Sequence, residues 1–173
     1  MAPTREPRPA GARSAVSIEA LDHRNPALAE AIHKVWSPAY AQEAALLGAS
    51  HFTPLQRTVQ DIQDSAGFHI GAFVAGELVG VLCIGPDDEP AQLCITALVV
   101  YPKAQRQGIG RRLVQEALRR GEGMAFAVST GARNGPALAL YRALGFVAYR
   151  YGTMGPEAVR VVKLRRSPTG PPV

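Results

Sequence analysis

The sequence predicts an α/β fold in which a mixed sheet, mostly antiparallel at its start, is flanked by helices. After Gly67 the hydrophobic pattern changes to a period of two, which predicts strands Phe68–Val74 and Leu78–Ile84 around a tight turn. An apolar run then leads through a glycine-rich loop into a helical pattern at Leu98–Arg111, and a second apolar run, Met124–Ser129, follows the helix. This strand–helix–strand order predicts one parallel strand pair.

Length and composition are those of a single globular domain. The chain has 173 residues, of which 47% are hydrophobic and 19% are charged, so it can bury a sizeable core. We expect a domain over residues 14–164, a disordered tail at 1–13 and a flexible tail at 165–173. No apolar run approaches the ~18 residues of a membrane span. With no secretory signal at the N-terminus either, we expect a cytoplasmic protein.

The net charge of +5 does not indicate a nucleic-acid partner, because most of it lies in the two tails. Arg5, Arg8 and Arg13 against Glu6 give the first tail +2, and Arg165 and Arg166 give the second another +2. About +1 is left for the domain, so the sequence predicts no basic face.

Helix signals follow a first strand, Ser14–Leu21. Asn25-Pro26 is typical of a helix start, with Asn as N-cap and Pro in the first turn. Pro38 is expected to end or kink this helix. Tyr40–Leu47 then predicts a second helix and Leu55–Ser65 a third helical piece.

The C-terminal half alternates strands and helices. Leu93–Val100 is nearly all apolar, as in a central strand, and Pro102 ends it. Gly108–Arg120 has a helical pattern. Asn134 or Gly135 caps a further helix that closes at Gly145. Two final strands are predicted at Phe146–Tyr151 and Val159–Leu164.

Two cysteines, Cys83 and Cys94, are expected to be reduced and buried. A hairpin around Pro86–Ala91 would place them opposite each other. The sequence has no metal-ligand spacing, so no metal is predicted.

The stretch Leu98–Arg111 predicts a phosphate site. The unpaired N–H groups and the dipole of a helix N-terminus attract anions, and glycine lets a phosphate approach the backbone. A dinucleotide fingerprint would require a third glycine where Leu113 stands, and the chain has no Walker A loop.

Gln105-Arg106-Gln107-Gly108-Ile109-Gly110 resembles the Q/R-x-x-G-x-G/A motif of the GNAT superfamily of acetyl-CoA-dependent N-acetyltransferases. A second segment, Asn134–Phe146, resembles the superfamily's other CoA-associated segment. The order of elements from Ser14 to Leu164 also fits. The resemblance implies a GNAT-like sheet whose parallel strand pair splays apart at the cofactor site.

The resemblance also implies roles for individual residues. Backbone amides bind the pyrophosphate of acetyl-CoA, here those of Arg106, Gln107, Gly108, Ile109, Gly110 and Arg111. The backbone of Leu98, Val99 and Val100 corresponds to the segment that pairs with pantetheine, and an N–H near Val99 or Val100 is the natural oxyanion donor. Asn134 either contacts the cofactor or only caps its helix. Tyr141 matches the general acid that protonates the leaving thiolate.

The implied reaction is the transfer of acetyl from acetyl-CoA to an amine by direct attack in a ternary complex. Neither cysteine has a nearby base in the sequence, so no covalent intermediate is predicted. The acceptor is a small molecule or a peptide, with no nucleic acid or membrane partner, and relatives are often homodimers. The alternative is a non-catalytic acyl-CoA-binding module that keeps the fold.

The general base is the open question. Many relatives carry a glutamate on the strand before the motif, whereas Leu93–Ala97 contains no carboxylate. Deprotonation at pH 7 costs roughly 4–5 kcal/mol for a lysine-like amine but about 1 kcal/mol for an α-amine. The base is therefore elsewhere, or the acceptor is weakly basic. The candidates are His51, His69, Glu43, Glu89 and a water chain. Asn25–Ser65 and the strand ends should build the acceptor pocket, with Trp36, Tyr40, Phe52 and Glu43 as candidate lining residues, although Trp36 is expected rather to belong to the core.

Overall fold

A computed structural model describes residues 14–168, which form seven strands and four α-helices. The strands are β1 (Val16–Leu21), β2 (Phe68–Val74), β3 (Glu77–Pro86), β4 (Gln92–Val100), β5 (Ala125–Gly131), β6 (Val147–Met154) and β7 (Val159–Arg166). The helices are α1 (Pro26–Leu47), α2 (Val59–Asp64), α3 (Ile109–Arg120) and α4 (Gly135–Ala143), with 3-10 turns at Thr53–Gln56 and Pro102–Ala104. The tail predicted at 1–13 and the last five residues of the tail predicted at 165–173 lie outside the described residues.

All seven strands belong to one sheet with the order β1-β2-β3-β4-β5-β7-β6. Every neighbouring pair is antiparallel except β4 and β5, which are parallel and are connected through α3. The predicted fold class, a mixed and mostly antiparallel sheet flanked by helices, is confirmed. No helix in the described part of the chain is both long and apolar enough to cross a membrane.

The helices cover both faces of the sheet and give two hydrophobic layers. On one face, α1 packs on β3 and β4 around Ile32, Trp36 and Val81, and α2 packs against α1. On the other face, α3 and α4 pack around Leu113, Phe126 and side chains of β2, β3 and β7. Apolar residues on both faces explain why β4 is a nearly continuous hydrophobic run rather than an alternating one.

The expectation that Pro38 ends the first helix is wrong, because α1 continues through this proline and includes the second helix predicted at Tyr40–Leu47. Asn25 caps the helix by accepting a hydrogen bond from the Leu28 N–H (3.2 Å), and Gly48 ends it with φ of 67°. An interior proline costs about 3 kcal/mol or more. Here the apolar face continues on both sides of Pro38, and its burial against the sheet offsets that cost. The buried residues are Ala29, Ile32, Val35 and Trp36 before it, and Ala39, Tyr40, Ala44 and Leu47 after it.

Two further expectations need correction. Leu55–Ser65 is not one helical piece, because Thr58 starts the short α2 with a capping box. In this capping box the Thr58 N–H donates to the Asp61 side chain (2.7 Å), and the Asp61 N–H donates to the Thr58 side chain (3.1 Å).

The cysteines are not opposite each other, since Cys83 pairs with Ala97 and Cys94 with Gly85. A bulge in β4 shifts the register there by one residue. The remaining predicted boundaries agree within three residues.

Candidate active site

The parallel strands β4 and β5 form a fork. They pair only over Gln92–Ile95 and Ala125–Val128. Beyond this point β3 holds β4 as far as Val100, while β7 holds β5 as far as Gly131. The two strands therefore separate toward their C-terminal ends, and the edge of β4 that faces β5 is open.

The register of β3 and β4 decides which backbone groups face the fork. The Tyr101 N–H donates to the Val79 carbonyl (2.8 Å). Since antiparallel pairs alternate between bonded and non-bonded positions, the backbone groups of Val99 point toward β3 and those of Leu98 and Val100 toward the fork. Consistent with this, the Val100 carbonyl accepts a hydrogen bond from Gln105 Nε2 (3.0 Å). Leu98 and Val100 thus present the polar backbone of the open edge.

The N-terminus of α3 lies just after this edge and has no side-chain cap. Gly108, the N-cap residue, has φ of 79°. The first bond of the helix runs from the Arg112 N–H to the Gly108 carbonyl (3.1 Å). Within residues 14–168, the N–H groups of Ile109, Gly110 and Arg111 have no acceptor. The N-termini of α1, α2 and α4 are each capped by a side chain. The start of α3 can therefore bind an anion through its amides and dipole.

The loop before α3 is polar and adopts an unusual backbone conformation. Arg106 has φ of 60°, a value that few non-glycine residues adopt. Arg106, Gln107 and Arg111 are exposed, and neither arginine is in an ion pair with a described residue. Their side chains are thus available to a phosphate ligand.

Tyr141 is buried on α4, with its ring packed edge-on against Phe146 (5.5 Å between centroids). Burial raises the pKa of its phenol well above the ordinary value, and the charges of Glu43 and Cys94 act in the same direction. The phenol therefore stays protonated across the physiological pH range and can donate a hydrogen bond or a proton.

Asn134 connects α4 to α1. Its Oδ1 caps α4 by accepting from the Ala137 N–H (3.2 Å), and its Nδ2 donates to Glu43 Oε1 (3.2 Å). Both polar atoms of the side chain thus have protein partners. Burial raises the pKa of Glu43, and the hydrogen bond from Asn134 partly offsets this effect.

Glu43 and its neighbour Gln42 lie across the mouth of the fork. Gln42 Oε1 accepts from Gln105 Nε2 (2.7 Å), and Gln105 follows the end of β4. Asn134, the partner of Glu43, follows the end of β5. Two adjacent residues of α1 are therefore bonded to the segments that follow the two diverging strands. Sequence periodicity could not reveal this arrangement, because the partners are 63 and 91 residues away.

The other base candidates do not lie at the fork with a free proton-accepting group. His51 is exposed and pairs with Glu157 (3.3 Å). His69 is buried and stacks on His23 (4.0 Å between centroids), and burial lowers its pKa to about 4. Glu89 accepts from the Tyr149 hydroxyl (3.1 Å) and pairs with Arg150. Of the four residues considered, only Glu43 is held at the fork.

Three aromatic residues that were candidates to line an acceptor pocket are core residues, as expected for Trp36 but not for Tyr40 and Phe52. Trp36, Tyr40 and Phe52 are each less than 10% exposed and pack together. The Trp36 indole N–H donates to the Pro54 carbonyl (2.9 Å). This cluster anchors α1 to the segment that follows it.

A cavity of about 350 Å³ opens beside the base of the fork. Its lining includes Cys94 and Ser129 from the two parallel strands, together with Asp87, Tyr151 and Lys163. Lys163 pairs with Asp87 (2.8 Å) and also with Asp88, so the charges of the cavity wall are largely compensated.

Both thiols are poor nucleophiles. Burial raises the pKa of Cys83 to about 12 and that of Cys94 to about 11. At neutral pH they remain protonated, and the thiolate is the reactive form.

Comparison with known proteins identifies the family of this fork-containing domain. The model of the acetyltransferase (GNAT) family matches residues 29–146. UPF0157 protein YqkA of Bacillus subtilis (strain 168) is 37% identical over 130 residues, which cover 75% of this chain and 37% of that protein. The chain thus spans little more than a third of the length of this relative.

Solved structures share the fold. The ribosomal-protein-S18-alanine N-acetyltransferase from Escherichia coli aligns over 92% of this chain and 99% of its own, with a TM-score of 0.69 and 17% identity. The PaiA N-acetyltransferase from Thermoplasma acidophilum, in complex with coenzyme A, aligns over 86% of this chain and 98% of its own, with a TM-score of 0.67 and 15% identity. The family match over most of the chain, with the same fold in these structures, shows that the chain belongs to the acetyltransferase (GNAT) family.

Proposed function

We propose that this protein is an N-acetyltransferase that transfers the acetyl group of acetyl-CoA to an amine by direct attack in a ternary complex. The fork, which opens directly beside the uncapped start of α3, is the observation that carries this proposal. An open strand edge and an anion-binding helix end, placed in succession, fit a ligand with an amide-containing arm and a pyrophosphate.

In this proposal the cofactor extends along β4 to α3. The backbone groups of Leu98 and Val100 pair with the pantetheine amides, since those of Val99 are directed to β3. The amides of Arg106, Gln107, Gly108, Ile109, Gly110 and Arg111 hold the pyrophosphate. Asn134 positions α4 through its cap and could touch the cofactor only by exchanging one of its present partners.

The chemistry then requires an oxyanion donor and an acid. The amine attacks the thioester carbonyl, and the Val100 N–H, which faces the fork, stabilises the charge on the oxygen. As the C–S bond breaks, the Tyr141 phenol donates its proton to the sulfur. Both thiols of the chain stay protonated, which argues against an acetyl-cysteine intermediate.

The acceptor is proposed to be a small-molecule or peptide amine. The name of the Escherichia coli neighbour specifies an alanine of ribosomal protein S18, so alanine-terminated peptides belong in an acceptor screen beside small amines. We also propose that residues 14–164 form the domain, that the protein is cytoplasmic and that it forms a homodimer.

A second candidate function is a non-catalytic acyl-CoA-binding module. The specific observation in its favour is that Leu93–Ala97, the segment of β4 before the open edge, carries no carboxylate. The protonated phenol of Tyr141, whose pKa is raised by burial and also by Glu43 and by Cys94 of β4, opposes this candidate, because a binding module has no need for a proton donor.

Acetyl-CoA is expected to stabilise the protein against heat. At a ligand concentration of 100 times Kd, binding to the folded state adds about 2.7 kcal/mol, which raises the Tm by roughly 5–10 °C for a domain of this size. Differential scanning fluorimetry with acetyl-CoA measures the shift, with adenosine as control. An unchanged Tm at millimolar acetyl-CoA would contradict both candidate functions. A second assay, release of free CoA thiol when an amine is added, distinguishes the enzyme from the binding module.

Gly110→Ala should weaken cofactor binding without damage to the fold. The added Cβ would contact Leu140 (3.5 Å), Val100 (3.8 Å) and Leu98 (3.9 Å), which are ordinary distances. It would, however, occupy the space between the open edge and α4. We expect an unchanged or slightly higher free energy of unfolding, and an acetyl-CoA Kd raised about 10-fold, since crowding by a methyl group costs roughly 1–3 kcal/mol.

Gly135→Ala is the matched control for this change, because its Cβ would meet nothing within 4 Å. Isothermal titration calorimetry should give wild-type affinity for Gly135→Ala. Equal affinities for both variants would place the cofactor elsewhere.

A further inference from the structure

We infer that Glu43 is the general base that removes the proton from the acceptor amine. The inference rests on the proposed function, and it supplies the proton acceptor that β4 lacks. Its foundation is the position of the side chain at the mouth of the fork.

The reaction needs a base because an amine nucleophile must lose protons. A lysine-like amine at pH 7 is almost entirely protonated, and the N–C bond can form only after one proton has left. Attack on the carbonyl then gives an ammonium that must lose another. A carboxylate within reach of the thioester meets both needs.

Hydrogen bonds hold Glu43 at the mouth of the fork. The Asn134 amide holds Oε1 at 3.2 Å, and Gln42, one residue earlier, is bonded to Gln105 at 2.7 Å. Glu43 is thus fixed between the segments that follow β4 and β5. Within residues 14–168 its second oxygen, Oε2, has no hydrogen-bond partner, so one oxygen is held while the other is free to accept a proton.

The surroundings of Glu43 favour proton acceptance. No described lysine, arginine or histidine pairs with it, in contrast to Glu89, Glu116 and Glu157. The titratable groups that its charge influences are Tyr40 on the same helix and Tyr141 on α4, and both are buried and neutral. Burial raises the pKa of the carboxyl group, which makes its anion a stronger base than an exposed glutamate.

The proton transfers balance. An acceptor that arrives as an ammonium first gives one proton to Glu43, which passes it to solvent. The neutral amine then forms the N–C bond and gives a second proton to Glu43, while the C–S bond breaks with its electron pair on sulfur and Tyr141 protonates that sulfur. Solvent carries the second proton from Glu43 back to Tyr141. The sum is ammonium plus acetyl-CoA giving the N-acetylated amine, free CoA and one proton in solvent, with no other reactant.

The test compares Glu43→Gln with the wild type at pH 7 and above. The substituted amide keeps the size of the side chain and can still accept from Asn134, but it cannot take up a proton. Three nucleophiles are compared: a peptide amide with an N-terminal alanine, Nα-acetyl-lysine amide, and water. The readout is free CoA thiol. Glu30→Gln, an exposed change on the same helix, is the control, and Glu43→Asp tests partial rescue.

We expect Glu43→Gln to bind acetyl-CoA like the wild type but to lose about 100-fold in kcat/KM at pH 7. For an amine, the loss should shrink as the pH approaches the pKa of that amine, because solution then supplies the free base. The wild-type rate should fall as the pH drops through the raised pKa of Glu43.

Three results would overturn the inference. Wild-type rates for Glu43→Gln at pH 7 would show that the base is elsewhere while the proposed function stands. A loss that stays constant with pH for both amines would leave Glu43 only a structural role. A wild type that binds acetyl-CoA but turns over none of the three nucleophiles would overturn the inference and the proposed reaction together.

Discussion

Tyr141→Phe is expected to lower kcat by about 100-fold or more while the acetyl-CoA Kd changes by less than about twofold. The ring is buried against Phe146, and phenylalanine keeps that packing, so the fold and the cofactor site should persist. Only the hydroxyl is lost, and with it the proton that neutralises the departing thiolate. Steady-state release of CoA thiol gives kcat, and calorimetric titration gives the Kd.

Tyr40→Phe is the matched control for this experiment. Tyr40 is also buried and also close to the charge of Glu43, but it lies in the aromatic cluster with Trp36 and Phe52. We expect this variant to keep nearly full turnover. If Tyr40→Phe lost the activity and Tyr141→Phe retained it, the general acid would be Tyr40.

Phe126→Ala should cost about 3–5 kcal/mol of the free energy of unfolding, because it empties a large buried site. Phe126 is 1% exposed and lies opposite Leu93 in the short parallel pairing. Its ring also fills the space beside Gly121, where a Cβ would come within 2.5 Å of the ring. One side chain thus joins the end of α3 to the closed part of the fork.

Urea denaturation measures this loss, with Val147→Ala as the comparison. Val147 is 68% exposed on the edge strand β6, so its truncation should change stability by less than about 0.5 kcal/mol. A loss for Phe126→Ala no greater than that for Val147→Ala would mean that the parallel pair is held together by other contacts.

The sequence is most informative where local patterns decide the structure. The hairpin turn of β2 and β3 is readable because Ala75-Gly76 must adopt positive φ, with values of 51° and 80°. The family motif adds what periodicity cannot, namely that the parallel strands separate. At Pro38 the local rule fails, because packing of the whole α1 face outweighs the cost of one lost hydrogen bond.

The base-side geometry of the candidate site could not be predicted, because it depends on contacts between distant segments. Glu43 is one of four candidate residues in the sequence. It falls in the segment expected to build the acceptor pocket, but the sequence does not show which distant side chains hold it or Glu89. The two glutamates differ in their hydrogen-bond partners. Glu43 accepts from the amide of Asn134, 91 residues away in the sequence. Glu89 accepts from Tyr149 and Arg150, about 60 residues away. The phosphate loop, by contrast, can be found from a sequence motif, because the amides proposed to bind the phosphate belong to consecutive residues.

The unbroken α1 also limits how this chain can change in length. Gln42 and Glu43 reach different segments because successive helical residues point about 100° apart. Removing one residue between the Asn25 cap and Gln42 would rotate both side chains by that angle and move them along the axis by about 1.5 Å. Both bonds across the mouth of the fork would then be lost together. The number of residues in α1 before Glu43 is therefore fixed by the fork.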